Sequence, residues 1–311
     1  MPTKRRRSHC FCLFTILALA CDTSSSVATR RLVRPPPSPS ISVKLPVGTY
    51  NLRGSPIQGR TRHMVTTIDI DAAQLNVKVG STTVTGTMGM HVEATDELEI
   101  LAVRGGWIES GRLTHVLDKT TSTSQMKLPD GIVEQKNEEE FGELHGRTEV
   151  ISLIAGAWTR KLVGAAPSAE LSVDLENAPI DDAAYPAAIK VGESWTLTGP
   201  DLRHWLGSSF TATRGQIKST LVAVEVLPAE TIAIIESVGE LGGKISDEGE
   251  RDMDFVMRIQ GTERRSLERA LELESSAHGS IEFSQAYVED GEPVSLSVTG
   301  PITIRIKGAL H

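Results

Sequence analysis

The chain has 311 residues, a formal charge of -8 and only 4% aromatic residues. That length is enough for one large β domain or two smaller ones, and the core has to rest on Val, Ile, Leu, Ala and Met. The acidic balance excludes a general nucleic-acid binder, which needs a basic footprint, and excludes electrostatic attraction to anionic lipid.

Residues 1–9 (MPTKRRRSH) are basic, and residues 10–20 (CFCLFTILALA) are apolar. The apolar run is shorter than the roughly 20 residues a membrane-spanning helix needs. It has the length of the apolar region of a signal peptide. Ala18 and Ala20 supply the small-x-small pattern of a cleavage site, and Cys21 follows at once. Leu17-Ala18-Leu19-Ala20-Cys21 resembles a lipobox, the sequence at which bacterial lipoproteins are cut and acylated on cysteine. Ala18 departs from the commonest residue at its position. The resemblance implies a signal peptide over 1–20, lipidation at Cys21, and a domain held in the cell envelope by its N-terminal lipid. Cleavage there would remove four basic residues and no acid, leaving 28 basic and 40 acidic residues. The other cysteines are Cys10 and Cys12, so the domain after Cys21 can hold neither a disulfide nor a Cys-based zinc site.

Residues 21–40 are rich in Ser, Thr and Pro. They read as a disordered, partly polyproline tether between lipid and domain. From Ile41 onward, alternation of apolar and polar residues dominates. Leu75, Val77 and Val79 alternate with Asn76 and Lys78, and Val84–Val92 alternates with small polar residues. Residues 134–145 (EQKNEEEFGELH) are acidic and read as a loop or a frayed helix. A Pro/Ala-rich crossing over 165–189 separates an N-terminal half, 41–164, from a C-terminal half, 190–311.

Asp201–Leu206, after Gly199-Pro200, reads as a short helix. Strands follow around Ile217–Val226 and Thr231–Val238, and strand is favoured over helix around Leu271. The chain ends in Leu296 and Val298, a Gly300-Pro301 break, then Ile302, Ile304 and Ile306. Period-two patterning over many segments predicts an all-β fold: a large curved antiparallel sheet or open barrel with a short helix. Two packed β subdomains are the alternative.

Tyr185–Trp195, Gly215–Val224 and Gly142–Thr148 resemble segments of uncharacterised β-rich lipoproteins of bacterial envelopes. The likeness touches about a third of the chain. It implies placement and fold type, and no reaction. Val191-Gly192-Glu193 reads as a tight turn feeding Trp195 into the core.

No catalytic or cofactor motif is present, so neither a cofactor nor a metal is expected. The histidines after Cys21 (His63, His91, His115, His145, His204, His278, His311) lie far apart and form no HExxH. The acidic run Asp247–Asp254 lacks the spacing of a calcium loop. Asp69 and Asp71 fall on one face of a strand and fit its wet side. Ser124–Lys127 matches SxxK without the partner motifs of that chemistry. The candidate ligand-binding residues are His204 and Trp205 on the short helix, with Trp195. The functional expectation is a non-enzymatic, membrane-anchored lipoprotein that holds a hydrophobic ligand in a concave sheet. The alternatives are a module binding another envelope protein and a hydrolase with a dispersed site.

Overall fold

In the computed structural model, the described residues are 48–311 except 55, 129–130, 143, 155–156, 165–184, 199–209, 246–251 and 290. Alternating patterning carries them into strands. In chain order these are β1 (Thr49–Tyr50), β2 (Thr61–Val79), β3 (Thr82–Arg104), β4 (Trp107–Lys127), β5 (Val133–Phe141), β6 (Thr148–Ile154) and β7 (Ala157–Leu162). After them come β8 (Ile189–Lys190), β9 (Ser194–Thr198), β10 (Phe210–Leu227), β11 (Glu230–Ile245), β12 (Met253–Ser266), β13 (Leu271–Glu289) and β14 (Glu292–Leu310). There is no helix among the described residues.

Twelve strands form one antiparallel sheet, ordered β7-β6-β4-β3-β2-β14-β13-β12-β11-β10-β9, with β5 beside β6 along β4. It is not closed into a barrel. Each strand pairs mainly with its chain neighbours, except that β2 pairs with β14, which joins the two halves in mid-sheet. The hairpin turns at 80–81 and 291 lie at the upper end of the sheet, and those at 105–106 and 267–270 at the lower end. The remaining pair, β1–β8, forms a small separate sheet near the lower end of β10.

One face of the large sheet is apolar and shielded from water. Ile70, Leu75, Met88 and Met90 on β2 and β3 belong to the same cluster as Ile217, Leu241, Phe255, Phe283 and Val298 on β10 to β14. The other face carries Ser, Thr, Glu, Lys, Arg and His. The sheet curls toward the apolar face, and glycine makes the curl possible. A Cβ at Gly279 would stand 1.8 Å from the Arg258 carbonyl oxygen of the next strand, and one at Gly239 would stand 2.4 Å from that of Gln216. Both glycines lie in the apolar phase of their strands, so the neighbouring backbone has folded over the inner side. The apolar face is therefore concave.

The inner phase of β2 changes from even (Ile68, Ile70) to odd (Ala73, Leu75). One extra residue between Ile70 and Ala73 does this, seen as a register shift against both neighbours. Ala72 takes φ +48° in this bulge. Asp71 falls at the bulge, whereas Asp69 binds His91 and Arg305 on the convex face.

Two expectations change. Residues 133–141 are a strand, because pairing with the Ser/Thr-rich β4 outweighs weak β-propensity. Their even positions, Lys136, Glu138 and Glu140, are half-buried while the odd ones are exposed. Gly300-Pro301 does not break β14: Pro301 pairs in register with Ser280 on one side and lies where the ladder to β2 is already interrupted on the other. The strand favoured around Leu271 is present: β13 begins at Leu271, after a turn at 267–270.

Candidate functional site

The concave face has two characters. Its upper part is aliphatic and rich in methionine. Met88, Met90, Met126, Met253 and Met257 point inward there, and Met64 points inward lower down, opposite Asp96; the initiator Met1 completes the seven in the chain. An unbranched thioether adapts to irregular contacts more readily than a branched or aromatic side chain.

Lower down, on β2, β3, β4 and β6, a polar layer lies next to a second apolar cluster of Leu98, Ile100, Leu113 and Ile151. Arg62, Thr66, Asp96, His115 and Glu149 are all at most 8% exposed. His115 stands between two carboxylates: Nε2 meets Glu149 Oε1 at 2.7 Å, and Nδ1 meets Asp96 Oδ1 at 2.8 Å. The Glu149 contact is a well-formed hydrogen bond, while the Asp96 contact is a close ion pair. From β7, Arg160 grips Glu149 in a fork, Nε to Oε2 at 2.7 Å and Nη2 to Oε1 at 2.6 Å.

These contacts set the charges. Burial pulls the imidazole down, but Asp96 and Glu149 outweigh it and raise the His115 pKa to about 9. Burial pushes Glu149 up, but His115 and Arg160 outweigh that and lower its pKa to about 2. The imidazolium carries a proton on both nitrogens and donates from Nε2 to Glu149, so His115 has no lone pair for a metal or a nucleophile. Among the described residues there is no cluster of His, Cys, Asp and Glu able to hold a metal.

The Gly142–Thr148 segment wraps this network. At His115 and Asp118, β4 changes partner from β6 to β5. The segment fills the gap: the Gly146 amide donates to the His115 carbonyl at 2.7 Å, and the His115 amide to the Arg147 carbonyl at 2.9 Å. A Cβ at Gly142 would meet the Asp118 carboxylate, which would have to swing aside.

A second polar knot closes the lower end near β10 to β13. Arg265 lies over the Tyr185 ring at 3.9 Å and donates to the Leu52 carbonyl at 2.6 Å. The Tyr185 hydroxyl donates to the Glu263 carboxylate at 3.0 Å. Burial and the Glu263 charge push the phenol pKa well above its ordinary value.

On the convex side, a shallow groove of about 420 Å³ includes Val238, Glu240, Arg258, Gln260 and His278 in its lining. Its polar groups pair with one another, Arg258 with Glu240 at 2.7 Å and Gln260 with His278 at 2.8 Å.

The candidates read from the sequence fall only in part among the described residues. Cys21, His204 and Trp205 lie outside the described residues, as does most of the acidic run; Asp252 and Asp254 at its end are near Lys244. Trp195 sits on β9, half-buried, and packs beside Leu221 and Ile235 under the small sheet. Val191-Gly192-Glu193 forms the expected turn, with Gly192 at φ +88°. Ser124 and Lys127 project to opposite faces of β4. The Asp96–His115–Glu149–Arg160 network was not foreseen. No spacing announces it, since His115 and Glu149 are 34 residues apart.

Fold and site thus define an all-β protein with a curled, open, amphipathic sheet and a polar network at one end of its apolar face. No protein-family profile matches the chain, and no curated protein does. Among solved structures, a DUF1329 family protein from Desulfovibrio piger is similar over 82% of this chain and 85% of its own, at 11% identity and a TM-score of 0.14. An outer membrane channel from Pseudomonas putida is similar over 82% of this chain and 97% of its own, at 5% identity and a TM-score of 0.17. Likeness at this level assigns no function.

Proposed function

We propose that this protein is a lipoprotein of the cell envelope, anchored through Cys21, that holds a hydrophobic or lipidic ligand against the concave face of its sheet. The observation carrying this reading is the one-sidedness of the sheet. Most aliphatic residues and every internal methionine face inward, while the convex face is mainly polar. The inner residues are already shielded from water, so an acyl chain enters by displacing side-chain packing, which methionines permit at low strain. An open sheet can also spread at its edges, as a closed barrel cannot.

Two experiments bear on this. The mature protein, extracted from membranes in mild detergent, is weighed by native mass spectrometry. A discrete added mass that organic solvent strips off supports ligand holding; a clean apo mass sinks it. For the anchor, Cys21→Ala is expected to leave the precursor uncut by the lipoprotein peptidase. A variant that is still fully processed and membrane-bound would remove Cys21 from the proposal.

A second reading, a module for another envelope protein, draws on exposed apolar residues at three adjacent upper hairpins: Val79 at 47%, Val133 at 52% and Val288 at 66%. Co-purification of a stoichiometric protein with the clean apo mass would favour it.

A further inference from the structure

The division of the concave face suggests how a ligand would lie. The aliphatic part gives way to polar groups within one residue step: Ile68 packs with the apolar cluster, and Thr66, next on the same face of β2, does not. Thr66 is 4% exposed and its Oγ1 has no hydrogen-bond partner. The inward hydroxyl of Ser219, by contrast, meets the Ser237 hydroxyl at 2.8 Å. A buried hydroxyl without a partner is destabilising, so its presence on the concave face points to a group supplied from outside the chain.

The groups around Thr66 narrow that group's chemistry. On β2, Arg62 lies two inward positions below it, and Asp96 on β3 lies between the two, opposite Met64. Over the whole polar part, Arg62, His115 and Arg160 are matched by Asp96, Asp118 and Glu149, so the formal charges sum to zero. A ligand head group bearing net charge would be buried there uncompensated, which is costly. One carrying both signs would be matched.

We propose that the polar part is the seat for the head group of a zwitterionic amphiphile whose acyl chains lie on the methionine-bearing part. The anionic portion faces Arg62, the cationic portion faces Asp96, and a head-group oxygen accepts from the Thr66 hydroxyl. This deepens the ligand-holding reading and rests on it.

The test uses the full mature protein in mild detergent. It is mixed with dioleoyl phosphatidylethanolamine, dioleoyl phosphatidylglycerol or dioleoylglycerol and weighed by native mass spectrometry. The zwitterionic lipid is expected to be retained at least about fivefold better than the other two, the equivalent of one hydrogen bond. Thr66→Val keeps the side-chain shape. It is expected to cut that preference by about fivefold while raising the melting temperature of the lipid-free protein, because it removes an unpartnered hydroxyl. Equal retention of the three lipids by the wild type overturns the head-group seat and leaves lipid holding intact. Retention of none sinks both. A Thr66→Val protein that melts lower than the wild type shows that the hydroxyl serves the fold, and also overturns the seat.

Discussion

His115 bridges two strands that are not neighbours, taking a carboxylate from β3 on one side and from β6 on the other. The network it centres ties β6 and β7, the short strands at one sheet end, to the long ones. Buried ion pairs contribute little net stability, but removing one partner strands the other. Glu149→Gln is therefore expected to destabilise the fold by about 3 kcal/mol, measured by urea unfolding. A loss below about 1 kcal/mol, the range of exposed pairs, would show the network to be wetter than its 4% exposure at Glu149 implies.

The same residues give the stability a pH window. The Glu149 pKa is lowered, so its contribution is full above the ordinary 4.5 and is lost as pH falls toward 2. The His115 pKa is raised, so its contribution is full below 6.5 and is lost as pH rises through about 9. Both are complete between about 4.5 and 6.5. The melting temperature is expected to decline from pH 6.5 to 9.5, and His115→Gln to flatten that decline; an unchanged slope in the variant would assign the decline elsewhere. None of this was legible in the sequence. Alternation says which face a residue takes, yet a contact between residues 115 and 149 depends on which strands pair.

At the level of the element, alternation did locate most long strands, because one buried face imposes period two on every strand that crosses it. It failed where something other than burial decides. β5 has an acidic sequence and becomes a strand through its partner. Pro301 sits within a strand because the bulge in β2 has already removed the ladder it would interrupt. The inward glycines were visible as letters only, and their meaning comes from curvature. Gly279→Ala is expected to cost about 3 kcal/mol or more, since its Cβ would overlap a neighbouring carbonyl and the core would have to shift. Gly89→Ala on the convex face, where the nearest atom is the Thr123 hydroxyl at 3.0 Å, is expected to cost under about 1 kcal/mol. Chemical denaturation of the two variants side by side checks the curl; equal losses would contradict it.

For the whole molecule, the two halves of the chain share one sheet through β2 and β14. The Asp69–Arg305 pair, for one, joins residues 236 positions apart. A chain ending at residue 291 would lack β14 and leave two half-sheets, each with an unpaired apolar strand. It is expected to expose its apolar face and bind a hydrophobic dye, with loss of cooperative unfolding; a truncated chain that still melts in one sharp transition would argue that the halves fold alone. The adjacency of first and last long strands also fixes an order of events in synthesis. The middle of the sheet has to wait for the final nineteen residues of strand, Glu292–Leu310. Until residues 292–310 have been made, the chain stays without its central seam, and a polypeptide in that state can still be threaded through a narrow pore.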